Sequence, residues 1–264
     1  MSSAIISAMR RVLYVDGFNF YYGVTRYWDK EKQLAGLGWC NFPALVERHF
    51  PGTGQVQTKY FTAFPGVELP HRRPGEGDRY QLWRRALRTI CNLLIVDGFY
   101  KRDDDERNQD ARSKRRTEKQ TDVNLAVEAM ADAFGPPQLC PEHVFILSGD
   151  CDQMPTVFAL QERAPVPIRV TVLLPSGAKQ QDWQDKYEGT RRRLLRSHPN
   201  MRRNAPGRPI EVQVLDEKTL AASLLSYTLQ DSEGSFECPD YWRLPTVYLE
   251  QQCKNRKWRP DLHC

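Results

Sequence analysis

RVLYVDGFN, residues 11–19, is a short apolar run rich in valine that ends on Asp16 and is punctuated by Gly17. A run of this length, closed by a turn signal, predicts a buried strand with a carboxylate at its carboxyl end. The pattern returns in VFILSGDCDQMP, residues 144–155, where the apolar run is followed by Ser148, Gly149, Asp150 and Asp152. VQTKYFTAF (56–64), LLIVDGFYK (93–101), PIRVTVLLP (167–175) and IEVQVL (210–215) read as further strands. Helical patterns fall between them: from about Asn19, over 42–50, over 78–94, from Thr121 as a helix cap, after Pro155, and around 183–196. Strands alternating with helices imply a mainly parallel sheet covered on both faces, a Rossmann-like α/β/α sandwich. The expected strand order is 3-2-1-4-5. It puts the first and fourth strands side by side at the switch point, where ligands bind beyond the carboxyl ends.

Four aspartates fall where that crevice needs chemistry. Asp16 and Asp150 follow the first and fourth strands; Asp122 and Asp152 each open an amphipathic segment, with Glu128 in reserve. Grouped carboxylates repel unless a cation joins them, and Mg²⁺ and Mn²⁺ prefer oxygen ligands. Each Asp also has a plainer reading, as a helix cap or a favourable acid in a first helical turn. Asp122 poses a geometric question. A crossover helix is expected to begin at the opposite edge of the sheet, so the charged connection 101–119 would have to carry the chain round to the site. Asp97 has the local sequence of Asp16 but lies on an edge strand, away from the switch.

The chain has 264 residues, 40% of them hydrophobic, and a formal net charge of +5. That length accommodates a domain over 10–216 with a C-terminal extension over 217–264, rich in proline, aromatics and charge. No apolar run is long enough for a bilayer, and MSSAIISAMRR lacks the layout of a signal peptide. Seven cysteines without paired spacing suit a reducing compartment, so a cytoplasmic protein is expected. RSKRRTEK (112–119) and RRRLLRSHPNMRR (191–203) are strongly basic and would hold a phosphate backbone, or are simply solvated. No dinucleotide-binding or Walker glycine motif is present.

Three segments, VLYVDGFNFYYG (12–23), KQTDVNLAVEAMADAF (119–134) and FILSGDCDQMPTVFALQERA (145–164), together resemble an NYN domain of the PIN-like nuclease superfamily, in its bacterial LabA-like subgroup. They frame roughly residues 10–175. The resemblance implies a PIN-like sandwich and Mg²⁺- or Mn²⁺-dependent cleavage of single-stranded or structured RNA. It would make Asp16, Asp122, Asp150 and Asp152 the metal-binding and catalytic set. Asn19, Ser148 and Lys119 would serve the substrate phosphate, with Arg115, Arg116 and Arg192 on the RNA backbone. Gln153 stands where the family often has an aromatic, a change expected to alter packing more than chemistry. A silent RNA-binding scaffold, a small-molecule phosphatase and a nuclease of a toxin or defence system are the rivals. A homo-oligomer is compatible with all of them.

Overall fold

The computed structural model describes residues 10–32, 35–52, 54–63, 76–102, 116–175, 179–197 and 210–245. In chain order it holds β1 (Arg11–Asp16), α1 (Gly17–Lys32), α2 (Phe42–His49), β2 (Val56–Ala63), α3 (Glu76–Arg88), β3 (Leu93–Arg102), β4 (Arg116–Lys119) and α4 (Thr121–Ala133). There follow β5 (His143–Leu147), α5 (Met154–Glu162), β6 (Arg169–Leu174), α6 (Gln180–Ser197), β7 (Glu211–Val214), α7 (Glu217–Ala221), β8 (Thr228–Asp231) and β9 (Gly234–Glu237). The main sheet runs β4-β3-β2-β1-β5-β6-β7; six of its strands are parallel and β4 is antiparallel at the edge. The α/β/α sandwich and the 3-2-1-4-5 order of the predicted strands are therefore present.

The two-residue period of a strand explains the layers. Leu13, Val15, Phe145, Leu147 and Leu173 point to one face, where α1, α2 and α3 cover them. Val12, Tyr14, Val144, Ile146, Val170 and Val172 point to the other, under α4, α5 and α6. Every residue of β1 is buried, which is why its sequence reads as a continuous apolar run rather than an alternation.

Part of the expected C-terminal extension belongs to this core. Trp242 packs against Trp39 and Trp83, with ring centroids 5.5 Å from each. Arg85 on α3 grips Asp231 through two bonds of 2.6 and 2.7 Å and lies over the Phe236 ring. Residues 246–264, with Tyr248 and Trp258, lie outside the described residues. Gly36 shows how close the fit is. A Cβ there would come within 2.8 Å of the Trp242 carbonyl oxygen and 2.9 Å of the Leu244 nitrogen. Because both are backbone atoms, Gly36→Ala is expected to destabilise the fold by about 1–3 kcal/mol, read as a lower urea midpoint at unchanged slope.

β4 and the start of α4 differ from the sequence reading. RTEK has no apolar period, so 101–119 reads as one charged connection, yet 116–119 pairs with 99–102 as an antiparallel strand. Gln120, not Thr121, holds the cap position, with φ 75°, and this left-handed residue turns the chain from β4 into α4. The expected obstacle for Asp122 does not exist. β4 pairs only with 99–102, the stretch of β3 beyond its pairing with β2, so the chain turns at Gln120 while still at the carboxyl edge, and α4 runs back from there toward the start of β5. Asn124 Nδ2 reaching the Asp97 carbonyl at 3.3 Å marks that edge.

Candidate functional site

Asp16 is the centre of a set of short hydrogen bonds at the switch point between β1 and β5. Its Oδ1 accepts from the Asn19 amide at 3.0 Å and its Oδ2 from the Ser148 hydroxyl at 2.9 Å. Asn19 Oδ1 in turn accepts from the Gly149 amide at 2.8 Å, joining the first turn of α1 to the loop after β5. Ser148 Oγ accepts from the Asp150 amide at 3.1 Å. The plainer reading of Asp16, a cap on the following helix, is thus present in the geometry together with its place at the switch point.

The loop then folds into a 3-10 turn over Cys151–Gln153 that leads into α5. Asp150 caps this turn, its Oδ1 accepting from the Asp152 amide at 2.9 Å. Asp152 is exposed at the rim. Asp122, at the start of α4, is held from below: Gln153 Nε2 donates to its Oδ1 at 3.3 Å and to its carbonyl at 3.4 Å. Thr156 completes the brace by donating to Gln153 Oε1 at 3.3 Å.

Burial first, and the neighbouring carboxylates after it, set the electrostatics of the site. Burial pushes the Asp16 carboxyl up to about 6; the Asn19 and Ser148 bonds oppose the rise, and the charges of Asp122 and Asp150 add to it. Burial and then the Asp150 charge raise Asp122, Gln153 pulls it back, and Asp152 raises it further. The four predicted aspartates, Asn19 and Ser148 therefore share one edge of the sheet. Among the described residues, however, no three His, Cys, Asp or Glu side chains already converge as a ligand group for a metal. The donors fit a hard divalent cation in kind, being carboxylate, amide and hydroxyl oxygens. Gathering them round one ion requires Asp122 and Asp150 to turn from the protein donors they now face.

The remaining candidates separate. Arg192 is exposed on α6, its Nε donating to the Glu188 carbonyl at 3.3 Å. Its neighbour Arg191 is bound to the buried Glu162 at 2.8 Å and serves the fold. α6 packs against the 3-10 turn that carries Asp152. Arg116 and Lys119 are placed by their backbone alone, opposite Arg102 and Phe99. Arg115 lies outside the described residues, as do residues 198–203 of the second basic cluster. The reserve carboxylate Glu128 is engaged by Lys59 at 2.7 Å, and Asp97 by Arg84 at 2.5 Å. Gln153 is the residue sequence reasoning undervalued. At 2% exposure it joins Asp122 to the loop after β5, a polar contact between α4 and that loop rather than an aromatic filler.

No family model matches the chain. A curated protein, the 6-hydroxy-3-succinoylpyridine 3-monooxygenase HspA of Pseudomonas putida, is 26% identical over 203 residues, 65% of this chain and 61% of that protein. The chain thus spans about three-fifths of the length of the relative it matches. A solved protein of unknown function from Vibrio parahaemolyticus aligns with 82% of this chain and 98% of its own, at 15% identity and a TM-score of 0.44. The named relative overturns one expectation. It is a monooxygenase, an oxidoreductase rather than a nuclease, so the Mg²⁺- or Mn²⁺-dependent nuclease expected from the sequence is withdrawn.

Proposed function

We propose that the carboxylate pocket at the β1/β5 switch binds a divalent cation, Mg²⁺ or Mn²⁺, and with it the anionic group of a ligand, and that the ligand is RNA held as a binding partner. The observation that carries the reading is the gathering of Asp16, Asp122 and Asp150 at one edge of the sheet, tied to one another through Ser148, Asn19 and Gln153, where like charges favour a cation. Asp16, Asp122 and Asp150 would hold the ion, with Asp152 at the rim. The bound ion would neutralise charge on a phosphate. The chain's own residues do the rest: Ser148 and the Asn19 amide fix the Asp16 carboxylate, and Gln153 fixes Asp122. Exposed Arg192, Arg193 and Arg196 on α6 supply positive charge for a phosphate backbone without reading sequence. We place this activity in the cytoplasm, because Cys40, Cys91, Cys140, Cys151 and Cys238 are free thiols. No described helix is long and apolar enough to cross a membrane.

The specific observation behind a second reading is the 26% identity to HspA. On that reading the pocket takes a small aromatic carboxylate, and the chain is an oxidoreductase.

Calorimetric titration of Mn²⁺, then of single-stranded RNA or 6-hydroxy-3-succinoylpyridine, tests both. Wild type is expected to bind Mn²⁺ and then RNA, and Asp150→Asn to lose the ion. Ser148→Ala, which frees Asp16 Oδ2, is expected to weaken Mn²⁺ about 10–100-fold. Binding of Mn²⁺ that is indifferent to both substitutions would place the ion elsewhere. Binding of the pyridine but not of RNA would favour the second reading.

A further inference from the structure

We propose that Phe18 and Tyr22 form a stacking subsite for the planar heteroaromatic ring of the ligand whose anionic group occupies the carboxylate pocket. The inference rests on the reading of that pocket as an anion site organised by a cation, and adds the part of the ligand the pocket does not explain.

The start of α1 is fixed tightly against the end of β1. A Cβ on Gly17 would lie 2.6 Å from the Tyr60 ring and 2.7 Å from the Phe61 carbonyl oxygen, so the helix begins with no slack one residue after Asp16. Successive helix residues are then distributed at 3.6 per turn. Asn19 and Gly23 share the face toward the loops after β5 and β6: Asn19 accepts from Gly149, and a Cβ on Gly23 would lie 2.5 Å from Pro175 Cβ. Phe20 and Val24 enter the core. Tyr21 packs against the same core and hydrogen-bonds Tyr241.

Phe18 and Tyr22 are left one turn apart on the remaining face. Their rings are stacked, with centroids 6.4 Å apart and planes 23° apart, and Tyr22 is 45% exposed. The aromatic surface continues edge-on to Tyr21 at 5.4 Å, and Arg79 lies over the Tyr241 ring at 5.1 Å. The exposed part of the Tyr22 ring adds little to the stability of the fold. Beside a pocket for anions it gives a surface on which any flat heterocycle can stack, because every such ring has a π-face. The heterocycle has two possible sources, a nucleobase of RNA or the pyridine of a small carboxylate. The chemistry of recognition is the same for both.

The experiment pairs each ligand with a control that keeps its charge and lacks its ring. In Mg²⁺ buffer, an oligouridine of about eight nucleotides is compared with its abasic analogue, and 6-hydroxy-3-succinoylpyridine with succinate. Wild type is expected to prefer the ring-bearing member of one pair by about 10-fold or more. Which pair shows the preference identifies the source. Phe18→Leu and Tyr22→Leu keep apolar bulk and are expected to abolish the preference, while Tyr22→Phe retains it. Mn²⁺ affinity should be the same in all four proteins. Leucine variants that prefer the ring as wild type does, with Mn²⁺ still bound, would overturn the subsite and leave the pocket standing. A wild type indifferent to the ring in both pairs would overturn it as well. Absence of Mn²⁺ binding by wild type would mark failure of the pocket reading itself. Because Tyr22 is the more exposed ring, Tyr22→Leu tests the proposal even if Phe18→Leu weakens the fold.

Discussion

Asp16→Asn is expected to raise the urea midpoint of the cation-free protein at pH 7.5, and to lose that advantage as the pH is lowered to 4. The Asp16 carboxyl has an ordinary value of 3.8 and is pushed up to about 6 in the folded state. A folded-state value above the unfolded one means that stability from this group is fully present below 3.8 and is lost as pH rises through 6. Above that point the folded protein carries a buried charge at a cost of about 3 kcal/mol, the equivalent of the rise from 3.8 to about 6. Asparagine has the same shape and no charge. Its oxygen can keep the bond from the Asn19 amide, and its Nδ2 can donate to Ser148 Oγ. The gain at pH 7.5 is therefore expected to approach about 3 kcal/mol and to shrink through the window from 6 to 3.8.

The same pair of proteins separates a cation site from a helix cap. A ligand that binds only the folded state stabilises it in proportion to the logarithm of its concentration above Kd. Millimolar Mn²⁺ should raise the wild-type midpoint and leave Asp16→Asn nearly unmoved, so that the two curves approach each other. If the substitution lowers stability at pH 7.5, Asp16 acts as an ordinary cap and its charge is not strained. If Mn²⁺ stabilises both proteins equally, Asp16 is not among the ligands.

The fold was readable because its central strands are buried on both faces, so β1 and β5 appear as uninterrupted apolar runs that end before Asp16 and Asp150. Asp16 and Asp150 were readable for the same reason, as the charges that follow the uncharged runs 12–15 and 144–147. β4 was not, since a short edge strand made of Arg116, Thr117, Glu118 and Lys119 pairs through its backbone and leaves no period in its side chains. Gln153 was passed over because its value lies in a contact with Asp122, 31 positions away, and no local pattern encodes that. The C-terminal residues were hidden in a similar way. Trp242 is a core residue only because Trp39 and Trp83 leave a place for it. α4 opens at the carboxyl edge because β4 stays beyond the end of β2, a turn that the charged sequence 101–119 does not announce.

Lys59→Met is expected to be the most damaging single change on the α4 face of the sheet, at about 3–5 kcal/mol. The Lys59 ammonium, on the inner face of β2, sits 2.7 Å from Glu128 Oε2 and 2.8 Å from Asp132 Oδ2. The two acids are one turn apart on α4, and the Tyr14 hydroxyl donates to Asp132 Oδ2 at 2.6 Å. Burial disfavours the charge on Lys59, but Asp132 and Glu128 outweigh it and hold its pKa above the ordinary value. Burial first, then the Asp132 charge, raises the Tyr14 hydroxyl, which therefore stays protonated and a donor. Removing the ammonium leaves Asp132 charged at 16% side-chain exposure, with the Tyr14 hydroxyl as its remaining hydrogen-bond partner among the described residues, whereas Glu128 at 38% can turn to water. Most of the loss should therefore come from Asp132, and Lys59→Met with Asp132→Asn should recover a large part of it, because breaking a buried pair costs more than removing it whole. The consequence reaches the pocket, since α4 carries Asp122 at its first turn. Loosening the helix on the sheet should weaken Mn²⁺ binding in Lys59→Met and restore it in the double variant. A loss below about 1 kcal/mol would show that solvent or another cation already compensates the acids. Lost stability with unchanged Mn²⁺ affinity in Lys59→Met would show that Asp122 is positioned by Gln153 alone.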